Sequence, residues 1–171
     1  MPRKFSLVCL DTPILIWGIQ GTAHQGQEGR IQDARNLCAK LDEDGYGALI
    51  PAVVVAEFLS KIPPTEHAGT LKAIEQRFVT APFDAAAAMC FAKIWHENGA
   101  AGAIKAAQDL GVEKRSIKFD HQIIAIAVQQ GASHIITTDL KMAQFAGDRV
   151  QVIDMPRFDG PQLDLFPPQE R

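Results

Sequence analysis

The chain has 171 residues, of which 47% are hydrophobic and 22% charged, and its formal net charge is −3. That length suits one domain with a sizeable core, and that composition excludes a largely disordered chain. The slightly acidic balance gives no global basic signature of nucleic-acid binding, although a local basic patch can still serve.

No apolar run reaches the ~18 residues that a membrane helix needs. The opening MPRKFSLVCLD passes straight into a short strand-like run, unlike a signal peptide with its longer apolar region. Cys9, Cys38 and Cys90 are odd in number and widely spaced. They read as reduced core thiols of a cytoplasmic protein, not as a disulfide framework or zinc site.

Phe5 to Leu10 reads as a first strand whose continuous apolar run suits a central parallel position. Asp11 closes it, Thr12 can cap the following helix, and Pro13 suits that helix's first turn. Residues 21–29 form a polar loop. Arg30 to Glu43 reads as an amphipathic helix with Ile31, Ala34, Leu37, Cys38 and Leu41 on one face. A short strand at Ala48 to Ile50 leads to a helix opened by Pro51, and Glu57 is the only charge among its residues 53–59.

The pair Pro63-Pro64 breaks the chain before a helix from Ala68 to Arg77 and a third strand from Phe78 to Pro82. Asp84 can cap a helix running from Ala85 to about Glu97, and Gly99 separates it from a second, from Ala103 to Leu110. Asp120 opens a further helix, apolar all round from Ile123 to Val128 and therefore buried. Gly131 stops it, Ser133 to Thr137 reads as a strand of mainly β-branched residues, and Thr138 and Asp139 follow. Val150 to Ile153 is the last strand. This alternation predicts an α/β three-layer sandwich with a mainly parallel central sheet over residues 1–155. Residues 156–171 read as a proline-rich tail.

In open parallel sheets, ligands bind beyond the carboxyl ends of the strands. Asp11 and Asp139 fall at such ends, Glu57 lies in the helix after the second strand, and Asp120 begins the helix that feeds the Asp139 strand. Taken singly, each has an ordinary role: Asp11 or Asp139 as a helix cap, Asp120 as a dipole partner, Glu57 as a salt-bridged helix residue. Their joint placement is the signal. Four clustered carboxylates repel one another unless a cation neutralises them, and oxygen-only ligands favour Mg2+ or Mn2+. Such a site can activate water for phosphodiester hydrolysis. Thr12, Thr137 and Thr138 stand where hydroxyls could orient carboxylates or water.

The stretches LDTPIL (10–15), VVVAEFLSKI (53–62), FVTAPFD (78–84) and FDHQIIAIAVQQGASHIITTDLKMAQF (119–145) resemble the PIN-domain nucleases, particularly the VapC-type toxins of toxin–antitoxin pairs. The resemblance spans residues 5–153. It implies that Asp11, Glu57, Asp120 and Asp139 bind the metal and that Thr137 supplies a catalytic hydroxyl near it. It also implies Mg2+-dependent cleavage of RNA, a cognate antitoxin and a homodimer. The pattern departs at Pro13, where the family has a small polar residue, and from Asn98 to Ile117, a longer stretch than in compact toxins.

An acidic catalytic cluster must still hold a polyanion, so flanking cations are expected. Lys114, Arg115, Lys118 and Lys141 are the candidates for phosphate contact. His121 projects from another helix face than Asp120 and is expected to be structural or solvated. In the tail, QLDLF (162–166) resembles the pentapeptide by which bacterial replication proteins dock on the polymerase sliding clamp. Gln162 would hydrogen-bond there while Leu163, Leu165 and Phe166 fill an apolar pocket; alternatively the tail folds back along its own sheet or pairs in a dimer. The leading reading is a VapC-type endoribonuclease. The alternatives are a clamp-recruited PIN nuclease in DNA replication or repair, working on DNA or on RNA at replication sites, and a non-catalytic PIN-fold binding module.

Overall fold

The structure, a computed structural model, describes residues 6–158 together with Leu165 and Phe166. Five strands form one all-parallel sheet: β1 (Leu7–Leu10), β2 (Gly47–Pro51), β3 (Val79–Ala81), β4 (Ala132–Thr137) and β5 (Gln151–Asp154). Their order across the sheet is β3-β2-β1-β4-β5. The start of the first predicted strand, Phe5, lies outside the described residues.

Consecutive residues of the central strands are buried: Val8, Cys9 and Leu10 in β1, Leu49 and Ile50 in β2, Ile135 and Ile136 in β4. Successive side chains point to opposite faces, so burial of neighbours means that both faces are covered. That is the third layer the apolar runs imply. Each such Leu, Ile or Val contributes about 1.5–3 kcal/mol by leaving water.

The covering helices are α1 (Thr12–Leu15), α2 (Gly29–Asp44), α3 (Ala52–Leu59), α4 (His67–Arg77), α5 (Ala85–Ala100), α6 (Ala103–Asp109), α7 (Lys114–Gln129) and α8 (Ala143–Ala146). From α7, residues Ile123 to Ala127 are all fully buried, as their sequence requires. α2 buries Ala34, Leu37, Cys38 and Leu41 along its apolar stripe. No helix among the described residues is long and apolar enough to cross a membrane. Cys9, Cys38 and Cys90 are free thiols, and burial raises the pKa of each.

Three local expectations are corrected. Gly99 lies inside α5, and the break falls at Gly102, whose φ of +77° is the left-handed conformation that ends a helix. α7 begins at Lys114, so Asp120 sits within the helix and not at its start. Asp11, not Thr12, is the N-cap of α1: its carboxylate accepts from the Thr12 amide at 2.7 Å. α1 then runs into a π-helical turn at Ile16–Gln20, closed by Gly21, which the sequence did not signal.

Candidate active site

β1 has β2 on one side and β4 on the other, so the chain leaves the carboxyl end of β1 toward one half of the sheet and that of β4 toward the other. Parallel α/β sheets open a crevice at such a switch point. Asp11 follows β1 directly and Asp139 lies two residues beyond β4. Glu57 projects from α3 and Asp120 from α7. All four line one cleft of about 660 Å³, with Thr12, Lys61, Arg115 and Ser116 also in its wall.

Hydrogen bonds fix several of these carboxylates. Thr137, fully buried at the end of β4, donates its hydroxyl to Asp11 Oδ2 at 2.7 Å. The same hydroxyl accepts from the Asp139 amide at 3.0 Å, so one threonine ties two of the four acids. The Thr12 hydroxyl donates to Glu57 Oε2, and Lys61 Nζ lies 3.5 Å from Glu57 Oε1. Asp139 Oδ1 accepts from the Lys141 amide at 3.0 Å.

Burial and mutual repulsion show in the acid strengths. Desolvation pushes Asp120 up to about 7, with the charges of Asp139, Asp11 and Glu57 adding to it. Asp11 is also raised, first by its burial; the bonds from Thr137 and Thr12 oppose that, and Glu57 and Asp139 reinforce it. A carboxyl raised toward neutrality by burial and like charges in a cleft makes that cleft the candidate site.

The donor set suits a hard divalent cation: carboxylate oxygens line the cleft, with no thiol or imidazole among them. Among the described residues no three such side chains converge on one point as they stand. Binding a cation would therefore draw some of these side chains closer together than they now stand.

Of the predicted phosphate contacts, Arg115 lies in the cleft wall, 3.3 Å from Glu113. Lys114, Lys118 and Lys141 are exposed outside that lining, with Lys118 Nζ 5.9 Å from the Trp95 ring centroid. Lys61 was missed. Its spacing of four residues from Glu57 on a helical stretch was the available signal.

His121 is fully buried and structural. Its Nδ1–H donates to the Ile117 carbonyl at 2.7 Å, and Nε2 accepts from Asn98 Nδ2 at 2.9 Å. Asn98 also donates to the Phe145 carbonyl at 3.0 Å, so the pair joins α5, α7 and α8 beside Asp120.

In the tail, Gln162 and Leu163 lie outside the described residues. Leu165 and Phe166 pack against the domain's core. The Phe166 ring stacks on His134 at 4.1 Å between centroids and meets Tyr46 edge-on at 4.9 Å.

Two solved structures share this architecture. A chain of VapBC2 from Rickettsia felis, bound to a DNA fragment from their promoter, superposes with a TM-score of 0.60 at 15% identity. A chain of DNA-bound VapBC from Salmonella typhimurium gives 0.58 at 16%. Each match covers 88% of this chain and 99% of the other. The fold is PIN-like. No family model and no curated protein matches the sequence. At such identities the agreement is one of backbone, and the function must be argued from the site.

Proposed function

We propose that this PIN-like chain is a Mg2+- or Mn2+-dependent phosphodiesterase, and specifically a VapC-type endoribonuclease restrained by a cognate antitoxin and working as a homodimer. The observation that carries the reading is the convergence of four carboxylates from four separate elements on one cleft, one of them with its pKa raised to about 7. The VapBC neighbours support the toxin–antitoxin class through the fold they share.

A bound divalent cation would supply an activated water and stabilise the leaving oxygen. The chain's own groups prepare for that chemistry. Thr137 and the Thr12 amide hold Asp11 in one orientation, so it need not be ordered when substrate arrives. Thr12 and Lys61 do the same for Glu57. Asp120 carries a proton up to about pH 7 and must release it for the cleft to reach its full negative charge. Lys61 and Arg115 place positive charge in the wall, where the phosphates flanking a scissile bond would lie.

Docking of the tail on a sliding clamp would require Leu165 and Phe166 to leave the core they pack against. Their packing in cis supports the toxin-like reading over clamp recruitment. The deciding experiment is cleavage of labelled single-stranded RNA and DNA with Mg2+, Mn2+ or EDTA, beside an Asp120→Asn control. Metal-dependent cutting of RNA, lost in the variant, is expected. Cutting of DNA alone would favour the clamp-recruited nuclease, and cutting of neither by folded protein would favour the binding module.

A further inference from the structure

Beside the carboxylate cleft lies a second cavity of about 560 Å³, within the range of small-molecule sites. The two share a wall: Pro13 and Ile16 line both. Thr138, next in sequence to Asp139, closes the second cavity on the same side. A strand lying across the four acids would therefore run beside the wall that the two cavities share.

Its lining is unlike that of the cleft. Half-buried Pro13, Ile16 and Ala23, with the small accessible edge of Trp17 (7% exposed), form an apolar wall, and exposed Thr22, His24 and Gln27 stand at the rim. Arg30, the one Lys or Arg among the described residues of the lining, is already committed. It donates to the Met155 carbonyl at 3.1 Å and lies 3.7 Å from Asp154 and 3.8 Å from Asp33, with its guanidinium 5.8 Å from the Trp17 ring centroid. A phosphate would meet here a guanidinium already shared among several acceptors, whereas in the adjoining cleft the more exposed Lys61 and Arg115 each stand beside one carboxylate. The cavity suits a flat, neutral group with hydrogen-bonding edges.

We propose that the cavity beside Trp17 is a nucleobase subsite, which seats one base next to the scissile phosphate and gives cleavage its sequence preference. The assignment rests on the nuclease reading above and adds the part of the substrate that is read. Pro13, Ile16 and the accessible edge of Trp17 contact the base, and Gln27, Thr22 and Thr138 meet its polar edge. Unstacked single-stranded bases are recognised by this combination of apolar surface and amide or hydroxyl groups.

The test has a binding arm that needs no turnover. The chain has two tryptophans, Trp17 and Trp95, so Trp95→Phe leaves Trp17 as the sole indole reporter. In EDTA, this protein is titrated with each of the four nucleoside 5′-monophosphates and with ribose 5-phosphate. One nucleotide is expected to quench saturably, ribose 5-phosphate is not, and Gln27→Ala is expected to weaken binding about fivefold. The reverse protein, Trp17→Phe with Trp95 retained, should show no quenching. In the second arm, cut sites in a randomised RNA are sequenced for wild type, Gln27→Ala and Thr22→Val. Preference at one position beside the cut should fall by a similar factor in the variants.

No quenching by any nucleotide, or quenching that ribose 5-phosphate reproduces, overturns the subsite. So does a preference at every position that the variants leave unchanged. Saturable base binding in a protein that cuts nothing would instead count against the nuclease reading alone.

Discussion

The Thr137 hydroxyl donates to Asp11 Oδ2 at 2.7 Å across 126 residues of sequence, joining the carboxyl ends of the two central strands. Both groups are buried, and the same oxygen accepts from the Asp139 amide. Thr137→Val keeps the shape but removes both bonds, leaving a buried carboxylate short of a donor. The expected cost is about 1–3 kcal/mol of stability, with metal affinity about 10–100-fold weaker. Thr137→Ser should restore most of both. Chemical denaturation and metal titration of the three proteins check this; equal metal affinity in the valine variant would remove Thr137 from the site.

Asp120 makes the opposite prediction for stability. Its folded pKa of about 7 lies above the ordinary carboxylate value, chiefly through desolvation and then through Asp139, Asp11 and Glu57. The folded chain therefore binds more protons than the unfolded one between about pH 4 and 7, and stability falls as pH rises through that window. Asp120→Asn removes the buried charge. Without divalent ions the variant should be more stable at pH 8 by about 1 kcal/mol, or ~2–4 °C in Tm, with the gap narrowing toward pH 4. Added Mg2+ should stabilise the wild type more than the variant. Thermal melts in EDTA and in Mg2+ decide it, and a variant less stable than wild type at pH 8 would contradict the acid strength assigned to Asp120.

Much of this site was legible in the sequence because the chemistry sits where patterns end. A continuous apolar run such as Leu7–Leu10 belongs in the middle of a covered sheet, and the acid that stops it must lie at the strand's exit. The interruptions were harder to place. Gly99 looks like a helix stop, yet its φ is not positive and α5 runs through it to Ala100. Gly102 ends α5 because the turn needs positive φ, which composition alone does not show. The start of α7 was hidden because Glu113 makes no side-chain cap and the first turn is solvated. The cavity beside Trp17 depends on a π-helical turn, which leaves no recognisable period in five residues.

Lys61 lies 3.5 Å from Glu57 Oε1 and half-exposed in the cleft wall. If it meets a substrate phosphate, Lys61→Gln should raise KM several-fold and change kcat less. The slope of log(kcat/KM) against log salt should also become shallower by about 0.7, the value for one phosphate contact on a single strand. Cleavage kinetics over roughly 50–200 mM salt read both quantities. A fall in kcat alone with an unchanged slope would mean that Lys61 acts only by orienting Glu57.

The tail supplies a prediction independent of any substrate. Phe166 stacks on His134 at 4.1 Å and meets Tyr46 at 4.9 Å. Burial lowers the pKa of His134, so the neutral imidazole is the form that carries the stacked contact. With the folded pKa below the unfolded one, this group's contribution is complete above about pH 6.5 and is lost as pH falls through the folded value. Phe166→Ala should therefore lower stability by about 1–2 kcal/mol at pH 7.5 and by less at pH 5. Each measurement is a difference from wild type at the same pH, which cancels the opposing trend from Asp120. A loss that is the same at both pH values would place the anchoring of the tail on Tyr46 and leave His134 without a part in it.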